Sequence, residues 1–360
     1  MTADAPGEEP AASEEADASW LRRLYEFETR RRSAGDSRPG RPPAVGPPGD
    51  VPTDDQHQPR DSLPETGLGL TGGRRPSPDR PRRPRPDDGG SDADSESTSP
   101  LLQAIRREAG FDAIGLVGSP ADHAYGRTAR ATVGDGDERL AVSLRLFRHP
   151  DADEEGLENA LAAQLERWAD VGEVPGVVPV LDAAASPRPW ACTAPIGPSL
   201  RTFERRSITR ALRDARRLAH ALAALHDHGV VHAGLDPDTV VYPTDRTGGR
   251  TEPLLDVPGL LDVYRRYVDP ATILDPRYAA PEYYETDRGV VDRATDVYQF
   301  GAVLFTLLTG RPPYDGDAEA VREAVRADAV PLPSSVEPRV PAPVDELVEH
   351  AMQPAKFARF

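Results

Sequence analysis

Hydrophobic positions recur with a regular period from residue 101 onward and are nearly missing between about 34 and 99. That contrast divides the chain. The segments "AIGLVG" (113–118), "RTARATVG" (127–134) and "RLAVSLRLF" (139–147) alternate in polarity or are rich in β-branched residues, which predicts strands, with "GDGD" turning between the last two. Leucines and alanines at helical spacing in "DEEGLENALAAQLERWADV" (153–171) predict a helix, and "GVVPVLDAA" and "PWACTAP" predict two further short strands. Beyond about 197 the rhythm is mostly helical. It runs through "ITRALRDARRLAHALAALHDHG" (208–229), "TDVYQFGAVLFTLLTG" (295–310) and "DAEAVREAVRAD" (317–328). Strands with one helix followed by helices imply a two-lobed α+β architecture. No internal repeat is visible.

The segment 34–99 is instead dense in Pro, Gly, Arg, Asp and Ser, as in "RRPSPDRPRRPRPDD", and carries too little apolar surface to offset its ordering entropy. Disorder is expected there. Ahead of it, "DASWLRRLYEFETRRR" (17–32) sets Trp20, Leu21, Leu24, Tyr25 and Phe27 near one helical stripe, with Asp17 or Ser19 as N-cap. This reads as a short amphipathic helix on a tether, which docks on its own domain, forms only transiently in solution, or meets a protein partner.

A formal net charge of −17 argues against nucleic acid or an anionic membrane as partner. Lys356 is the only lysine, and an acidic, Asp-rich, lysine-poor surface suits a protein kept soluble in high salt, although arginine in place of lysine also fits a GC-rich genome. Cys192 stands alone, so neither an internal disulfide nor a cysteine zinc site is expected. The N-terminus is acidic and no apolar run reaches membrane-spanning length. The expected compartment is the cytoplasm.

The stretch "DPRYAAPEYYETDRGVVDRATDVYQFGAVLFTLLTGRPPY" resembles the eukaryotic-type Ser/Thr protein kinase family, and the resemblance extends over roughly 111–360. It implies a kinase-like small lobe over 100–194 and a larger helical lobe over 195–360. Ala280-Pro281-Glu282 is similar to the motif that closes the activation segment, Asp296 to the aspartate that braces the catalytic loop, and Arg359 to the arginine that pairs with Glu282. The family's last helix normally follows that arginine. Its lack would leave the apolar face of "VDELVEHAM" (344–352) only partly covered, a second candidate surface for a partner.

The chemistry of the family needs a glycine-rich cover, a strand lysine paired with a helix glutamate, a catalytic-loop Asp and Asn, and an Asp-Phe-Gly aspartate for Mg²⁺. Gly118 and Gly126 fall where the cover should be, but at the wrong spacing, which fits an ordinary hairpin loop better. The lysine position falls on Ser143 or Arg145, which share a strand face, so the register stays open. Gln164 takes the glutamate position, and Glu166 points about 200° away around the helix. In "HAGLDPDT", aligned on His232, the base becomes Gly234, the lysine Asp236 and the asparagine Thr239. Glycine accepts no proton, and threonine is a poor Mg²⁺ ligand. Asp236 could act as a base, but it puts a negative charge where a positive one normally stabilises the transferred group. In "PLLDVPGLLDVY", alignment on Gly259 puts Val257 and Pro258 in the Asp and Phe positions, whereas a one-residue insertion puts Asp256 there as metal ligand. The hinge "PWACTAPIG", with Thr193 as gatekeeper, offers the Ala194 carbonyl and the Ile196 amide to adenine, with Pro195 between them. The resemblance thus implies a degenerate, pseudokinase-like member in which ATP can bind while Mg²⁺ is poorly provided for. An active atypical kinase would need Asp236 and Asp256 together.

Overall fold

The computed structural model describes residues 99–360 apart from 136–137, 149–155, 204, 244–251 and 328–329. The expected helix at 17–32 and the expected disordered segment lie outside the described residues. Strands β1 (Ala113–His123), β2 (Gly126–Asp135), β3 (Glu138–Phe147), β4 (Val180–Ala184) and β5 (Trp190–Thr193) form one antiparallel sheet in the order β1-β2-β3-β5-β4. The period-two pattern of β3 sorts its side chains between the two faces. Val142 and Leu144 point to the outer face, where helix α1 (Pro100–Glu108) buries Leu102 and Ile105 against them in a cluster that includes Trp190 and Cys192. Ser143, Arg145 and Phe147 point the other way. Helix α2 (Leu157–Val171) packs that inner face through Leu157, Leu161, Leu165, Trp168 and Val171, so Gln164 is carried on the same buried side.

The second lobe is helical. It contains α3 (Ile208–Asp227), the short hairpin of β6 (Val240–Val241) and β7 (Leu254–Leu255), α4 (Leu260–Tyr264), α5 (Arg293–Thr309), α6 (Ala318–Arg326), α7 (Pro333–Val336) and α8 (Ala342–Ala351). Helix α5 is buried along most of its length, including Asp296, Tyr298 and Gln299. It starts with a capping box between Asp292 and Thr295 and ends at Gly310 in the left-handed region, where a side chain would be strained. No helix among the described residues is long and apolar enough to cross a membrane.

The apolar face of 344–352 is covered in part: Val348, Ala351 and Met352 are buried, Val344 is half-buried and Leu347 is at the surface. The close approach of α8 to α5 explains this, because a Cβ on Gly301 would lie 2.7 Å from the Met352 side chain. The β1–β2 connection is a tight hairpin turning at Ala124–Tyr125, with Gly118 sitting at a register shift within β1.

Candidate functional site

The cleft between the lobes is framed by β3, the β1–β2 hairpin, the segment 230–239 and the segment 256–259. Its floor is held from below by α5. The Asp296 carboxylate accepts the backbone amides of His232 (2.8 Å) and Ala233 (2.7 Å) and meets His226 Nε2 at 2.7 Å. Gln299 accepts the Leu235 amide at 3.2 Å, and the Tyr283 hydroxyl donates to the Ala233 carbonyl. With Ala233 at φ 58°, the loop adopts a conformation that an ordinary residue disfavours, and these bonds hold it there. The imidazole of His232 is fully buried, and burial pushes its pKa down. Behind the loop, Arg359 clasps Glu282 through two bonds of 2.8 and 2.9 Å, both side chains wholly buried, and Thr295 donates to the same carboxylate at 2.7 Å.

The loop held in this way presents no free base. Gly234 has no side chain. Asp236 Oδ1 accepts the backbone N–H groups of Asp238 (2.8 Å) and Thr239 (3.1 Å), while the Thr239 hydroxyl sits within hydrogen-bond reach of the Gly234 carbonyl (3.1 Å) and the Asp236 amide (3.0 Å). Both polar residues therefore close their own turn, as the sequence Asp-Pro-Asp-Thr favours. The nearest cation comes from elsewhere. Arg201 bonds Asp238 at 2.6 Å and Asp275 at 3.1 Å, and its guanidinium stands 3.7 Å from Asp236. Burial first, and the Asp238 charge second, push the Asp236 pKa up to about 6, against the pull of Arg201.

On the opposite wall the open register is decided by an ion pair. Arg145 Nη2 lies 2.6 Å from Asp256 Oδ2 with both side chains buried, and the guanidinium also lies 5.5 Å from the Trp168 ring centre. Asp256, not Val257, thus meets the strand cation, and the chain runs on from it through Val257 at φ 49° and Gly259 at φ 75°. Gln164 makes no contact with Arg145 of the kind a glutamate would. Its Nε2 donates to the Pro258 carbonyl at 2.9 Å and fills the space over Gly259, where a Cβ would lie 2.2 Å away. Ser143, the other candidate for the lysine position, accepts the Ile196 amide on Oγ at 3.1 Å. The hinge amide expected to face adenine is therefore engaged within the chain, and the Ala194 carbonyl accepts the Thr193 hydroxyl at 3.2 Å.

The donor set does not fit a magnesium ion. Asp256 faces Arg145 and also accepts the Val257 amide at 3.0 Å, and the Thr239 hydroxyl is turned into its loop. Among the described residues no group of His, Cys, Asp or Glu is arranged to hold a metal.

Three residues of the cleft carry no sequence signal of their role: Arg201, Asp275 and Tyr125. The first two join the loop from distant elements. Tyr125 sits at the hairpin tip yet is 6% exposed, its ring centre 6.0 Å from that of Tyr264.

No protein family model matches the chain. Over 179 residues, 46% of the chain, the sequence is 34% identical to the DNA damage-responsive serine/threonine-protein kinase RqkA of Deinococcus radiodurans, of which it covers 26%. Over 132 residues it is 33% identical to the serine/threonine-protein kinase pkn2 of Myxococcus xanthus, covering 15% of that protein. The chain thus spans about a quarter or less of the length of these relatives. In structure it is similar to the kinase domain of Mycobacterium tuberculosis PknI, with a TM-score of 0.52 and 19% identity over 69% of this chain and 92% of that one.

Proposed function

We propose a non-catalytic role for this chain, which belongs to the eukaryotic-type Ser/Thr protein kinase family and carries its protein kinase domain: it acts as a regulatory or scaffolding module and does not transfer phosphate. The observation that carries this reading is the catalytic loop, which is braced in the family's shape by Asp296 but has glycine at the base position. A hydroxyl substrate arriving there would find no acceptor for its proton. The groups that normally compensate charge on the transferred phosphoryl are altered as well, since Asp256 is neutralised by Arg145 and Asp236 supplies the wrong sign. What remains is a two-lobed surface for a protein partner.

One observation favours the other reading, an atypical active kinase. The Asp236 pKa of about 6 is suitable for a general base. Against it, Oδ1 is already taken by two backbone amides and Oδ2 faces Arg201.

The test is incubation of the purified full chain with γ-labelled ATP, Mg²⁺ or Mn²⁺, and a generic basic protein at low and high salt. No incorporation into either protein is expected. Incorporation that disappears in Asp236→Asn would replace this reading with the active one.

A further inference from the structure

We propose that the cleft is closed by the chain itself: Tyr125 is an internal plug standing where the phosphates of a nucleoside triphosphate would lie, and position 234 is glycine because the plug's hydroxyl occupies the space of a side chain there. A hairpin tip is normally a solvated place. This one is not, for Tyr125 joins the same buried cluster as Leu261 and Tyr264 of the helical lobe. A Cβ built on Gly234 would lie 2.7 Å from the Tyr125 hydroxyl and 3.0 Å from Leu261, so position 234 cannot gain a side chain while the hydroxyl stays in place. The carboxylates of Asp236 and Asp256 stand near enough, after burial itself, to push the phenol pKa upward. The hydroxyl thus lies against the loop at the position the family's base would take, and the ring behind it fills the adjoining part of the cleft.

The hairpin is built to hold this position. The Tyr125 carbonyl accepts the Arg148 amide at 2.7 Å, and the Tyr125 amide donates to His123 Nδ1 at 3.2 Å. Gly126 follows at φ 147°, where a Cβ would lie 2.1 Å from the Leu146 carbonyl oxygen, so only glycine lets β2 leave the turn this closely against β3. The rest of the cleft is satisfied in the same manner. Ser143 takes the hinge amide of Ile196 and Arg145 takes Asp256, so a nucleotide must displace bonds at the adenine end and the metal end as well as the ring between them. The apparent affinity for a nucleotide is therefore scaled down by the small fraction of molecules with the hairpin raised.

This inference concerns occupancy of the cleft and is independent of whether phosphate is transferred. Titrate the full chain with ATP, with and without Mg²⁺, by calorimetry, and compare it with Tyr125→Ala and Tyr125→Phe. Binding by the wild type is expected to be at least about tenfold weaker than by Tyr125→Ala, with Tyr125→Phe resembling the wild type, because the ring alone fills the space. Equal affinities in the wild type and Tyr125→Ala, whether measurable or nil, overturn the plug. A second measurement does not depend on Tyr125→Ala folding. Gly234→Ala should lower the melting temperature in the wild type and do so much less in Tyr125→Phe, where the clashing hydroxyl is gone. Additive shifts overturn the proposed coupling. Failure of the plug thus appears in affinities and melting points, whereas failure of the non-catalytic reading appears as labelled protein.

Discussion

At the scale of single residues, Asp236 shows how a substitution changes the chemistry of a loop without changing its shape. Its carboxylate closes the Asp-Pro-Asp-Thr turn, a task the backbone amides of Asp238 and Thr239 set for any acceptor at that place. Burial and Asp238 raise its folded pKa from 3.8 to about 6. The folded state therefore holds the proton more tightly than the unfolded one, and stability falls as pH rises from about 4 to about 6. Asp236→Asn keeps an acceptor for the turn and removes the buried charge. It is expected to flatten this part of the stability profile and to gain on the order of 2 kcal/mol at neutral pH, less whatever Arg201 contributes. Urea denaturation of both proteins at pH 4.5 and 7 checks this; an unchanged difference between the two pH values would contradict the raised pKa.

At the scale of elements, the segment 280–283 is fastened to the start of α5 and to Arg359 by one buried cluster. Glu282 takes two bonds from Arg359 and one from Thr295, and the Arg359 guanidinium also reaches the Ala294 and Pro354 carbonyls and lies 5.0 Å from the Tyr298 ring centre. Removing one partner leaves a charge in a site that water does not reach. Arg359→Ala should cost about 3–5 kcal/mol, and Arg359→Lys should recover little of it, since an ammonium cannot reproduce the paired bonds. Chemical denaturation gives the numbers. A loss below about 1 kcal/mol would mean that the pair is energetically idle. The elements themselves were largely legible in the sequence. The strand alternation of "RLAVSLRLF" and the helical spacing read over 153–171 and 208–229 agree with β3, α2 and α3 to within a few residues at each end. One exception is β1, which continues past Gly118 and Pro120 to His123 because pairing with β2 resumes beyond a register shift that local propensity does not reveal, and the short β6, β7 and α4 gave no periodic signal.

At the scale of the whole molecule, the two lobes are joined across the cleft by Arg145 and Asp256, residues 111 positions apart in sequence. An isolated pair so buried is weak evidence of net stabilisation, because desolvating both charges offsets much of their attraction. Arg145→Ala and Asp256→Ala should each lose about 3–5 kcal/mol by orphaning the other charge, whereas the double change Arg145→Met with Asp256→Leu should lie within about 1–2 kcal/mol of the wild type. Should the double change lose as much as either single one, the pair would be stabilising in its own right rather than a clasp that fixes which lobe geometry is adopted. Melting curves of the four proteins at one salt concentration decide between the two.

The sequence by itself determined which chemical groups are available. No folding can supply a side chain at Gly234 or a carboxylate at Gln164, and the order of Ala280-Pro281-Glu282, Asp296 and Arg359 was enough to imply the two-lobed α+β fold. It could not determine where the groups point. Ser143 and Arg145 share a strand face, so period-two alternation cannot say which one meets Asp256; the pairing of β3 with β5 does, setting Ser143 beside the hinge and Arg145 beside α2 and the segment after β7. Arg201 and Tyr125 had no local signal at all, because an arginine after a turn and a tyrosine at a hairpin tip look like surface residues until Asp236, Asp238 and Asp275 gather round the first and the opposite lobe meets the second. Periodicity reports the environment of an element's faces. The contents of the cleft are contacts between residues far apart in the chain, and only the tertiary structure brings them together.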